Sequence, residues 1–117
     1  MAQRKTNFAE GEYYHLYNRG NNKQDIFVDS SDYKRFQKLL YVGNGLHSFE
    51  FREVVKDEVY EFDKGDSLVH IGAYCLMPNH FHILLTPVVA DGVQKFMKKL
   101  ATSYSMYFNK RHDRTGA

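Results

Sequence analysis

One cysteine, little excess charge of either sign and no long apolar run set the first limits on this 117-residue chain. A lone thiol, Cys75, cannot close an internal disulfide, which excludes a disulfide scaffold and fits a reducing, cytoplasmic setting. Its place in an apolar run predicts a buried thiol that packs as a small hydrophobe. A membrane-spanning helix needs about 20 consecutive apolar residues, and no stretch approaches that. The polar segment Met1 to Glu12 also lacks an apolar signal core. A soluble chain without membrane contact is therefore expected: one domain over residues 13–117 behind a polar N-terminal extension, residues 1–12. That length can bury a core without disulfides or a structural metal. No internal repeat, linker or low-complexity segment is visible.

The formal net charge is only +2, so global charge says little about partners. Its distribution says more. Between residues 93 and 117, Lys95, Lys98, Lys99, Lys110, Arg111 and Arg114 face the single acid Asp113. Residues 49 to 66 carry seven acids against Arg52, Lys56 and Lys64. A basic C-terminal helix suits a phosphate backbone, because neutralising phosphates releases counterions; the same pattern also describes an ordinary solvated helix face.

Tyr13 to Asn18 reads as a strand ended by the turn cluster Arg19-Gly20-Asn21-Asn22. Ser30 or Ser31 caps a helix from about Asp32, with Tyr33, Phe36, Leu39 and Leu40 at helical spacing and Gly43 to Gly45 as its stop. Phe49 to Phe62 alternates enough to predict two strands. Asp63-Lys64-Gly65-Asp66 forms a turn before a strand over Leu68 to Met77. Asp91 then caps a long helix on which Val93, Phe96, Met97, Leu100, Tyr104, Tyr107 and Phe108 recur near the helical period. This order predicts an α+β fold: an antiparallel sheet with helices packed on one face.

The chemistry concentrates in Tyr74-Cys75-Leu76-Met77-Pro78-Asn79-His80-Phe81-His82-Ile83-Leu84-Leu85. Side chains alternate along a strand, so His80 and His82 share one face while Phe81, Ile83 and Leu85 turn to the core. Two imidazoles at that spacing are a preformed ligand pair for a divalent metal. They would serve equally as the polar face of an amphipathic strand. His15, His47, His70 and His112 are expected to be surface or strand residues rather than ligands; of these only His15, on a neighbouring strand, is a candidate to lie near the pair.

The segment Tyr74 to His82 closely resembles the signature of the tyrosine transposases of the HUH endonuclease superfamily, most of all the REP-associated type. Tyr14-His15 with Asn18-Arg19-Gly20 and Ile26-Phe27 resembles that family's first strand and turn, and Asp32-Tyr33 with Phe36 the start of its first helix. Phe96-Met97, Leu100 and the run Tyr104, Tyr107, Phe108, Asn109, Arg111, His112 resemble its second long helix. The resemblance implies a ferredoxin-like or RRM-like α/β sandwich, the HUH fold, and the acidic segment Glu53 to Asp66, longer than that family leads one to expect, reads as an inserted hairpin. It implies a homodimeric, mobile-element transposase, a metal-dependent DNA nickase acting on single-stranded or hairpin DNA in transposition and recombination. In such proteins the two histidines hold Mg²⁺ or Mn²⁺ and a tyrosine forms a covalent 5′-phosphotyrosine. Two imidazoles alone would instead favour Zn²⁺.

The resemblance carries the metal role to His80 and His82, but leaves the nucleophile open. Tyr104 and Tyr107 are candidates that also fit the apolar stripe of their helix. In the family a polar metal ligand follows the nucleophile by four residues, where this chain has Phe108 or Arg111. The family nucleophile sits on a later helix, so the chain is expected to stop short of it. Contacts to DNA are expected from Tyr14, Tyr17, Asn18, Arg19, Lys23, Lys110, Arg111 and Arg114 through base stacking and phosphate binding. The competing readings are a catalytically silent DNA-binding or regulatory remnant and, more weakly, an RRM-like RNA-binding module. A small hydrolase on the two histidines ranks last, for want of a third ligand or general base.

Overall fold

A computed structural model of the chain describes residues 8–20, 24–50 and 56–114. They run in the order β1 (Tyr14–Arg19), α1 (Ser30–Val42), a 3₁₀ turn (Lys56–Glu61), β2 (Val69–Met77), β3 (His80–Pro87) and α2 (Gly92–His112). The strands form one antiparallel sheet in the order β1-β3-β2, which puts the histidine strand at its centre. None of the described helices is long and apolar enough to cross a membrane.

Alternation decides which face of β3 is covered. Phe81, Ile83 and Leu85 are buried, and both helices pack over them, with Phe36 of α1 4.9 Å from Phe81 and 5.2 Å from Tyr104 of α2, between ring centroids. Val93, Phe96, Leu100, Tyr104 and Phe108 form the buried stripe of α2, as their spacing predicts. The opposite sheet face, with His80 and His82, is left free of both helices. The expected antiparallel sheet with helices on one face is therefore the architecture found.

The cap of α1 lies one or two residues before its expected position. Asp29, not Ser30 or Ser31, is the N-cap: its backbone is extended and its carboxylate accepts from the amides of Ser31 and Asp32. Gly43 ends the helix, as the sequence suggests. The β2–β3 turn at Pro78-Asn79 anchors the segment after β1, because Pro78 O accepts from Ile26 and Phe27 and Asn79 O from Gly20. Any side chain at Gly20 would place its Cβ 2.3 Å from the Gln24 carbonyl.

Two expectations about the middle of the chain are corrected. Among the described residues of Phe49 to Phe62 no strand forms, and residues 56–66 of the acidic segment hold no hairpin; residues 56–61 wind as a 3₁₀ turn, while 51–55 lie outside the described residues. Val59 and Phe62 are one 3₁₀ turn apart and so reach the same side, where Val59 packs with Val42, Tyr41, Phe49 and Phe62. The loop is tied down by Lys64, which donates to Asn44 O and Ser67 Oγ, and by Lys99, which donates to Gly45 O and His47 O. Buried Asn44 holds the start of β2, accepting from Leu68 and Val69 amides and donating to Val69 O.

Candidate metal centre and nucleic-acid face

His80 and His82 stand on the open face of the central strand with ring centroids 5.0 Å apart and planes at 86°. A ring nitrogen about 2.1 Å from a cation puts its centroid roughly 3.2 Å away, so two rings at about 90–110° on one ion sit ~4.5–5.3 Å apart. The observed separation fits that range. Asn79 Oδ1 lies 2.7 Å from His80 Nδ1, and His15 Nε2 lies 2.8 Å from His82 Nδ1, so each ring is held at one nitrogen. Partial burial, then the neighbouring His15 and His80, push the His82 pKa down, favouring the neutral imidazole that ligates metals. Among the described residues no group of three or more His, Cys, Asp or Glu side chains is arranged to enclose an ion. An ion held by these two imidazoles would need further ligands from outside the pair.

β1 supplies the neighbours of the pair. Tyr17 pairs with His82 and Arg19 with His80 in the ladder. The Tyr17 ring lies 5.0 Å from that of His82 and 5.8 Å from that of His80, and the Arg19 guanidinium stands 5.4 Å from the Tyr17 centroid. Tyr17 remains 46% exposed. An aromatic plane, a guanidinium and two metal-competent imidazoles therefore share one face. Asn18 points the other way along the strand and accepts from the Arg19 amide. Tyr14 also alternates away from the histidines; its hydroxyl accepts from Ala9 N and its ring meets Phe8 edge-on.

Cys75 is exposed, contrary to the buried thiol expected. The cause is a register shift between Ile71 and Ala73, with the extra residue Gly72 bulged out of the β2–β3 ladder. An unbroken ladder would set Cys75 opposite buried Phe81; the bulge sets it opposite His82 on the open face.

The structure does not bring the two candidate nucleophiles to the histidines. Tyr104 and Tyr107 lie on α2, across the sheet. The Tyr104 hydroxyl donates to Ile26 O, and burial pushes its pKa well up. The Tyr107 hydroxyl donates to Asp32 Oδ1 at 2.7 Å, and burial followed by that bond raises its pKa too. Both are held as neutral phenols.

The expected basic residues separate in the same way. Lys110, Arg111 and Arg114 belong to the helix layer, so the basic end of α2 does not stand beside the histidines. Arg111 pairs with Asp29 and Asp32, and Arg114 lies over Phe108 and donates to Asp25 O. Lys110 is exposed beside a groove lined by Arg35, Phe49 and Met106. Lys23 lies outside the described residues. Asp32, which sequence reasoning treated only as a helix start, proves to be a fully buried carboxylate that accepts from Val28 N, Tyr107, Arg111 and His112. An acid in a first helical turn is the only signal for it, and its side-chain partners lie some 75 residues or more along the chain.

A family model described as "Transposase IS200 like" matches residues 9–116. No curated protein and no solved structure matches the chain.

Proposed function

This chain belongs to the IS200-like transposase family, and from that premise we propose that its open sheet face engages single-stranded or hairpin DNA, with His80 and His82 holding Mg²⁺ or Mn²⁺ against a backbone phosphate. The observation that carries this reading is the ring geometry of the pair, whose separation suits one shared ion. A divalent cation so held would polarise the phosphate and offset charge on its oxygens as a phosphodiester is attacked. Tyr17 offers a base-stacking plane beside that phosphate, and Arg19 a charge-assisted contact to the backbone. Asn18, Lys110 and Arg114 would add contacts at the margins. Arg111 is committed to Asp29 and Asp32, which supports a structural role for it instead.

Covalent cleavage further needs a hydroxyl delivered to the histidine face. Tyr104 and Tyr107 are engaged across the sheet, which favours packing roles for both and supports an attacking hydroxyl from outside α2. That observation supports a second reading, a DNA-binding or regulatory module without cleavage of its own. Homodimer assembly belongs to the first reading; among the described residues β1 and β2 are both edge strands, whose outer backbone a second copy would pair.

The test is incubation of the chain with labelled single-stranded hairpin DNA and Mn²⁺, read on denaturing and native gels. Metal-dependent nicking or a covalent adduct, lost in His80→Ala and His82→Ala, is the result for a complete enzyme. Binding without nicking is the result for the second reading. Preference for RNA without metal contradicts both.

A further inference from the structure

The inference concerns His15 and rests on the reading of His80 and His82 as metal ligands. A neutral imidazole carries a proton on one ring nitrogen and can ligate a cation only through the other, so the partner of the protonated nitrogen decides which atom is available. At His80 the partner is an oxygen, Asn79 Oδ1, which only accepts. Nδ1 therefore carries the proton and Nε2 is free. His82 has no such oxygen at Nδ1; the atom it meets is His15 Nε2, at 2.8 Å.

The planes of the His15 and His82 rings differ by only 13° and their centroids are 4.9 Å apart. Ring nitrogens lie about 1.1 Å from the centroid, so a straight N–H···N bond between coplanar rings separates centroids by about 5 Å. The contact is thus head to head in the ring planes. The two nitrogens point at each other across one proton, and in this arrangement they do not converge on a common ion.

We propose that His15 is a positioning residue: its Nε2 accepts the Nδ1 proton of His82, fixes the tautomer that leaves His82 Nε2 free, and so matches His82 to His80. The ladder sets this up. His15 is opposite Leu84 in register, so it meets His82 on the diagonal, a contact long side chains reach in antiparallel pairs. Tyr17, directly opposite His82, holds the flank of the same ring.

The test compares wild type with His15→Leu and His15→Gln. Histidine ¹⁵N shifts of the metal-free protein, at about pH 8 where imidazoles are neutral, report the His82 tautomer; calorimetric titration with Mn²⁺ reports affinity. Wild type should show His82 protonated at Nδ1. His15→Leu should mix in the Nε2–H form and weaken Mn²⁺ binding by roughly 10- to 100-fold. His15→Gln, whose side-chain oxygen reaches near the old Nε2 position and accepts the same proton, should restore both readouts. An unchanged tautomer in His15→Leu overturns the assignment. So does equal loss of Mn²⁺ in both variants with the tautomer intact, which would make His15 a ligand. Wild type that binds no Mn²⁺ while His82 still responds to His15 refutes the metal reading, not the hydrogen bond.

Discussion

Asp32 sets the terms on which α1 and α2 meet. Its carboxylate is fully buried, yet burial's upward push on its pKa is outweighed by bonds from Tyr107, Val28 N, Arg111 and His112, so it stays below the ordinary value. Asp29 shares Arg111 and is held at about 2, chiefly by that side-chain hydrogen bond. A carboxyl more acidic in the folded chain contributes stability that is fully present above its unfolded pKa and is lost as pH falls through the folded value. Folding stability should therefore hold from neutrality to about pH 4 and fall between there and the Asp29 value of about 2. Acid-unfolding curves followed by circular dichroism check the window. Asp32→Ala should cost roughly 3 kcal/mol, since it strands the donors of Tyr107, Arg111 and His112; urea denaturation measures it. None of this was legible at Asp32 itself, because a first-turn acid reads as a dipole partner until the far end of α2 is folded against it.

Among elements, β3 was the most readable and its neighbour β2 the least. Strict alternation at His80, Phe81, His82, Ile83 announced which side chains reach the core, and burial of Phe81 and Ile83 follows it. In β2 a single bulged glycine, Gly72, inverts that pattern for everything after it. Nothing in the apolar run around Cys75 signals the inversion, since a bulge depends on pairing with another strand. Cys75 should accordingly react with a thiol reagent in the native protein at a rate close to that in denaturant. A thiol that reacts only after unfolding would contradict the bulged register. On α2, helical spacing gave the buried stripe correctly but could not separate packing tyrosines from reactive ones. Tyr107→Phe removes a hydroxyl bonded to Asp32 and should lower stability by about 1–2 kcal/mol. It should leave Mn²⁺ affinity unchanged, because α2 lies across the sheet from the histidines.

The whole molecule has two unlike faces, a helix layer that covers the core and an open sheet face that carries His80 and His82. Sequence pattern and family resemblance together anticipated this architecture and the placement of His80 and His82 on one face of their strand. The alternation of Phe49 to Phe62 suggests strands, but Val59 and Phe62, three apart, reach one side only in the 3₁₀ turn found; in a strand they would face opposite ways. The distribution of usable positive charge was also hidden, because a basic residue counts toward DNA only if no acid claims it, and Arg111 is claimed by two. Binding should therefore depend on the open face more than on the basic helix. By fluorescence anisotropy, Tyr17→Ala should weaken single-stranded DNA binding by about 1–3 kcal/mol, while Lys110→Ala should change it by less than about 0.5 kcal/mol. The most direct test of the account is the affinity of wild type and of the His80→Ala/His82→Ala double variant for hairpin DNA, with and without Mn²⁺. The account predicts that Mn²⁺ tightens binding by the wild type and that the double variant loses this increment while keeping its fold and its metal-free affinity. A double variant that keeps the full Mn²⁺ increment would contradict it.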